Sequence, residues 1–345
     1  MLIAIAKQYK MKGYQLLILI FTILLSACNN GRSRLDIDTR NIKIAPVHIQ
    51  RYEKALFEIA PDSMQRQLKA IASQFPVFLD TDLDDTLNIM RLHEFITDPL
   101  NRQLYEKTLE IFPDLTPYER DFTEAFKRFK YFFPDEELPD IFSYVSGLLY
   151  ENPVQFFNDD MIIALDMYLG PDMETYRKMR LPLYVIRTMR PEYLVRDGIH
   201  ELYLYHFALR PGTTFLDQAI DKGRQLWFLD AMLPATTDSI KIGFTQAQLE
   251  WCQQNEANIW SFIIQNDLLY SSDTQMLRKF FNDGPFTSDF STDSPPRIGE
   301  WMGWQIVRSF MNKNGKVSPE ELFTNTQAQD ILKLSGYKPK GDVKP

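Results

Sequence analysis

Apolar residues recur along most of this chain at intervals of three and four, the period of a helix with one buried face. Met64, Leu68, Ile71, Ala72 and Phe75 make one stripe, and Phe122, Ala125, Phe126, Phe129 and Phe133 make another. The second begins TPYE, where Thr116 is placed to cap, Pro117 suits the first turn and Glu119 completes a capping box. Thr245 with Gln248, and Ser318 with Pro319 and Glu321, predict two further helix starts, and Gly336 predicts a stop. Elsewhere the rhythm changes. Alternation at Ile42, Ile44, Val47 and Ile49 predicts a strand leading into the fold. Residues 141–149 and 155–170, rich in β-branched and aromatic side chains and bounded by turn formers, predict the strands of a small sheet. The chain shows no repeat, no low-complexity block and 20 prolines spread through its loops. The pattern therefore predicts an α+β protein, predominantly helical with a small β-sheet, folded as a single body over 42–345.

One helical run carries two glycines. In SPPRIGEWMGWQIVRSFM, residues 294–311, Gly299 and Gly303 share a face with Ile306 and Phe310. Each glycine costs about 1 kcal/mol relative to alanine in a helix interior. So flat a face implies close approach to a neighbouring element. Trp301, Trp304 and Arg308 fall on a second face. The tryptophans read as core, while Arg308 and Glu300 are candidates for a polar cleft, because a buried guanidinium needs a carboxylate.

At the N-terminus, Lys7, Lys10 and Lys12 precede twelve uncharged residues, LLILIFTILLSA, and then Cys28. A spanning helix needs roughly 20 apolar residues, so the run predicts the apolar core of a secretory signal. Its LSAC ending resembles the lipobox of bacterial lipoproteins. That resemblance implies removal of residues 1–27, a thioether-linked diacylglycerol on Cys28 and an acylated new amino terminus. Met11, followed by Lys12, offers a second possible start. Several acyl chains on one cysteine give stable attachment to a bilayer. Residues 28–41 read as the lipidated terminus and a polar tether. CNNGRSR contains no acid, so it lacks an acidic export tag, and the body is expected to face the periplasm.

Loss of residues 1–27 removes three lysines and no acids, leaving 35 basic against 46 acidic side chains and a net charge near −11. That balance argues against nucleic acid as a partner and leaves membrane contact to the lipid. With Cys28 lipidated, Cys252 is the remaining thiol, which excludes an intramolecular disulfide and a four-cysteine zinc site.

For chemistry, GIHELYLYHF places Glu201 directly after His200. A zinc protease motif needs H-E-x-x-H, yet the position four after His200 is Leu204, and His206 lies six after, about 240° round a helix. The motif is broken, and Tyr203, His206 and Leu209 read as packing or lining a polar pocket. DTDLDD from Asp80 lacks the glycine and the glutamate of a calcium loop, having Asp85 and Arg91 in their places. No nucleophile elbow, Walker loop or dinucleotide fingerprint is present.

Five stretches together resemble the gliding-motility lipoprotein B family (GldB) of the Bacteroidetes: the lipobox Cys28, HIQRYEKALF (48–57), MIIALDMYLGPD (161–172), residues 248–273 and residues 285–311. The resemblance implies an envelope-anchored protein associated with gliding motility and its linked secretion machinery. More distantly the chain is similar to a group of zincin-like peptidases with an intact H-E-x-x-H, which implies a zincin-like domain; Leu204 departs from that pattern. The expectation is a non-catalytic, membrane-anchored lipoprotein with no cofactor beyond its lipid, the bilayer and envelope proteins as partners, and either the inner or the outer membrane as its home. The alternative is a zincin-like hydrolase acting on peptide or peptidoglycan through His200, Glu201 and the 294–311 helix. A third reading, a ligand-binding protein, requires a pocket with converging polar groups. The candidate cleft or interaction residues are His200, Glu201, Arg297, Glu300, Trp301, Trp304 and Arg308.

Overall fold

The computed structural model describes residues 34–207, 212–324 and 327–341. The signal segment, Cys28 and Leu209 lie outside the described residues. Four short strands form one sheet: β1 (Ile49–Arg51), β2 (Ile141–Tyr144), β3 (Val154–Phe157) and β4 (Asp160–Ala164). Their order is β1-β2-β4-β3, with β1 and β4 parallel to β2 and β3 antiparallel to β4. Between β1 and β2 run α1 (Tyr52–Phe57), α2 (Met64–Ile71), α3 (Pro76–Leu79), α4 (Thr86–Thr97), α5 (Pro99–Ile111) and α6 (Thr116–Phe132). After β4 come α7 (Glu174–Lys178), α8 (Leu183–Ile186), α9 (Leu194–His206), α10 (Phe215–Met232), α11 (Asp238–Ile242) and α12 (Gln246–Gln254). The chain continues through α13 (Glu256–Gln265), α14 (Thr274–Phe281), α15 (Ile298–Lys313), α16 (Pro319–Thr324) and α17 (Ala328–Ser335). The class is α+β, mostly helical, as the periodicity predicts.

The strands are shorter than the sequence suggests, for reasons of backbone hydrogen bonding. Only Ile49–Arg51 of the first alternating run pairs. Pro46 has no N–H, Val47 donates to the Thr123 hydroxyl at 2.9 Å, and Ile49 donates to Glu119 at 2.9 Å, so α6 side chains take the donors that a longer strand would use. Glu119 therefore does not close a capping box with Thr116. Thr116 is already helical, and Asp114 accepts from its N–H at 3.0 Å and its hydroxyl at 2.7 Å. The 141–149 segment leaves the sheet after Tyr144, because the buried Asp166 carboxylate accepts from the N–H groups of Ser146 at 2.8 Å and Leu148 at 2.9 Å. Residues 155–170 break at Asn158 and Asp159, whose φ of 48° and 68° make the tight hairpin turn that matches strand twist. The box at Thr245 and Gln248 forms as read, and Gly336 ends α17 with φ 49°.

Ile49, Ile141, Met161 and Ile163 of the sheet are buried, as are Phe122, Phe126 and Phe129 of α6, and α9 lies close to both, since a Cβ on its Gly198 would meet Phe122 at 2.6 Å and Met161 at 3.3 Å. The centre of the C-terminal part is a helix pair. α10 is buried almost all round its C-terminal half, and α15 lies against it with backbones touching. A Cβ on Gly303 would sit 1.7 Å from the Ala219 carbonyl oxygen, and one on Gly299 would meet the Phe281 ring of α14 at 2.4 Å. Close approach is what offsets the helix cost of both glycines. Trp301 and Trp304 fill the core beside this crossing, with 2% and 0% of their surface exposed.

Candidate functional site

The polar residues of α15 converge with those of α10 and α11. Asp230 stands on α10 in the apolar run LWFLDAM and is 5% exposed. A buried carboxylate must be fully hydrogen-bonded or it would be expelled, and here four donors reach it. Arg308 donates from Nε to Oδ2 and from Nη2 to Oδ1, both at 2.7 Å. Lys241 Nζ donates to Oδ1 at 2.9 Å, and Trp304 Nε1 to Oδ2 at 2.8 Å. The guanidinium of Arg308 also grips Asp238, with bonds of 2.7 and 2.8 Å, and lies 3.7 Å from the centre of the Trp304 ring. Two cations thus balance two anions, with an aromatic face beneath one of them. Burial opposes the charge of Arg308, but the two aspartates outweigh it and hold its pKa above the ordinary range. Burial likewise works against Asp238, and Arg308 overcomes it, holding the carboxyl below its usual value.

Next to this lattice the short helix α11 ends at Gly243, whose φ of 75° turns the chain away. The last carbonyls of a helix lack internal partners and carry the negative end of its dipole. Three arginines from three other segments cap them in succession. Arg196 donates twice to the Lys241 oxygen at 2.9 and 2.7 Å, Arg297 to the Ile242 oxygen at 2.9 Å, and Arg187 to the Gly243 oxygen at 3.0 Å. Arg297 adopts φ 53° at the start of α15, pairs with Glu300 at 2.9 Å and lies 3.2 Å from Asp283. Burial weighs against its charge, and Glu300 and Asp283 together raise its pKa regardless. Lys222 approaches Glu300 from α10 at 3.8 Å.

His200 belongs to the rim of the same cationic region. Its Nε2 lies 3.0 Å from Gln225 Oε1, which favours the tautomer protonated there. Burial, then the Arg196 charge, push its pKa down to about 3, so the ring is neutral at neutral pH. Burial and the like charge of Asp197 raise Glu201. His206 pairs instead with Glu136, at 3.0 Å, and packs on Phe129. The two imidazoles face different partners, and among the described residues no three His, Cys, Asp or Glu side chains gather in a way that could hold a metal.

The structure thus brings Arg297 and Glu300 together near His200, and Trp304 together with Arg308, while Trp301 is core. Sequence reasoning missed Asp230, Asp238, Lys241, Arg187 and Arg196. The lone acid inside LWFLDAM was the available signal for the first of these. The arginine caps had none, because their targets are backbone oxygens.

No helix among the described residues is long and apolar enough to cross a membrane. No curated protein and no solved structure matches the chain. The family model described as gliding motility protein GldB matches residues 32–339, from just after Cys28 almost to the C-terminus. The chain therefore belongs to the GldB family of gliding motility proteins.

Proposed function

We propose that this protein is a non-catalytic lipoprotein of the cell envelope, anchored through acyl groups on Cys28 and facing the periplasm, that acts as an assembly component in gliding motility and the linked secretion machinery. The observation that carries this reading is the state of its polar residues. Arg308, Lys241, Asp230 and Asp238 neutralise one another, three arginines hold the end of α11, and His200 is a neutral ring bound to a side-chain amide. Groups held in this way stiffen the fold beside a partner surface, and among the described residues they do not form a paired base and nucleophile. The LSAC run directly precedes the region that the family model matches, which supports the anchor. The partners on this reading are the bilayer and other envelope proteins, and the acidic charge balance argues against nucleic acid.

The test is complementation in the source bacterium after deletion of the gene, scored by surface spreading and by secreted protein. Wild type and the double variant His200→Gln, Glu201→Gln should restore both equally, whereas Cys28→Ala should leave the membrane fraction and fail. Failure of a stably accumulated double variant would instead restore the hydrolase reading.

A further inference from the structure

Beyond the arginine caps, a cavity of about 470 Å³ opens between the end of α8, the loop after it, α11 and the start of α12. Its volume is within the range of small-molecule sites. Arg187 and Arg190 line it, with Ser239, Phe244 and Gln246 among their neighbours. Arg187 is the unusual member. Its Nη2 serves the Gly243 oxygen, its Nε is buried without a hydrogen-bond partner, and no carboxylate among the described residues lies within ion-pair distance. Burial lowers its pKa from the ordinary range and the charges of Arg297 and Arg190 add to that, while Tyr193 and the Asp283 carboxylate pull the other way. Arg190 is paired with Glu192, whose carboxylate also lines the cavity, and its own Nε is buried and unpartnered.

Two other cavities give the contrast. In one, Lys107 is answered by Glu110 at 2.7 Å and faces Glu106, Asp172 and Glu174; in the other, Arg51 is answered by Glu53. Of the described guanidinium groups that line these three cavities, that of Arg187 is the one with no carboxylate within ion-pair distance. The start of α12 adds to the same field. Thr245 caps Gln248, leaving the N–H groups of Gln246 and Ala247 ahead of the capped one, at the positive end of a nine-residue helix.

We propose that this cavity is an oxyanion site, taking the carboxylate or phosphate group of a small molecule beside the guanidinium groups of Arg187 and Arg190 that line it, with the Ser239 hydroxyl and the first N–H groups of α12 as further donors. Guanidinium edges suit both groups because each offers two oxygens in one plane. The site is independent of the anchoring and assembly roles and would survive their refutation.

The experiment is calorimetric titration of the full-length protein in detergent at constant ionic strength, with inorganic phosphate and N-acetylglycinate as separate probes. Saturable binding of at least one, with Kd near or below about 1 mM, is expected; preference between the two assigns the site to phosphates or to carboxylates. Arg187→Gln should weaken binding about tenfold or more. Because that change also removes a cap on Gly243, Ser239→Tyr provides a second arm: it fills the cavity, keeps the Ser239 carbonyl that accepts from Phe244 N–H and the Arg187 cap, gives up only the hydroxyl contact with Thr237, and should abolish binding with the melting temperature kept. Absence of saturable binding by both probes up to about tenfold above that Kd, or equal binding by wild type and Ser239→Tyr, overturns the proposal.

Discussion

Gly223 of α10 and Gly303 of α15 meet backbone to backbone: a Cβ on Gly223 would lie 2.4 Å from the Gly303 carbonyl oxygen, inside the distance that any real contact shows. The two longest helices of the C-terminal part can cross this closely only because both lack side chains at the crossing. The approach also sets the height at which Trp304 and Arg308, one and five residues further along α15, meet Asp230.

Gly303→Ala should therefore destabilise the protein by about 3 kcal/mol, despite the gain of about 1 kcal/mol in helix propensity, because the methyl group collides with backbone rather than with a movable side chain. Gly315→Ala, where an added Cβ meets nothing within 4 Å, should stay within about 0.5 kcal/mol of wild type. Urea unfolding of both variants measures the difference; equal stabilities would mean that the helices are not in backbone contact.

Asp230→Ala removes the anion that Arg308, Lys241 and Trp304 share. Stranding buried cations in this way costs about 3–5 kcal/mol. Asp238→Ala, at the more exposed end of the lattice, should cost less than half as much, since Asp230 still answers Arg308 there. Chemical denaturation of the two single variants gives the ranking directly, and a reversed order would place the centre of the network at Asp238.

Local signals were legible in the sequence and distant pairings were not. The stripe on α6, the box at Thr245 and the stop at Gly336 each rest on side chains a few residues apart, so one segment contains its own explanation. Thr116 shows where this fails: Glu119 sits at box spacing, but a strand N–H from 70 residues away takes its carboxylate. The candidate site lies on the same boundary. Arg308 announces a need for an acid, and Asp230 announces a need for a cation, yet 78 residues separate them and neither names the other. The glycines on α15 predict a close neighbour without saying that its own glycine, Gly223, completes the fit.

Asp267, just after α13, holds φ 53° on an exposed corner. A left-handed conformation costs a non-glycine residue about 1–2 kcal/mol, partly offset on substitution by the greater freedom of glycine in the unfolded chain. Asp267→Gly should raise stability by about 0.5 kcal/mol, seen as a higher urea midpoint with an unchanged slope. A lower midpoint would show that the aspartate side chain supports the corner.

His200 links the site to pH. Its folded pKa of about 3 is below the value of about 6.5 expected of the unfolded chain. Between those values the unfolded state binds a proton that the folded state refuses, so stability falls as pH falls from 6.5 toward 3, by up to about 1.4 kcal/mol per pH unit from this group alone. Above pH 6.5 both states hold the ring neutral and the contribution is flat. His206, also lowered by burial, adds to the same window, whereas the depressed Asp238 adds its own loss only at more acid pH. Subtraction isolates His200: unfolding free energies of wild type and His200→Gln, measured from pH 7.5 to 4.5, should converge as pH falls. Parallel curves would mean that the ring titrates normally, and that Gln225 and Arg196 do not enclose it as the geometry describes.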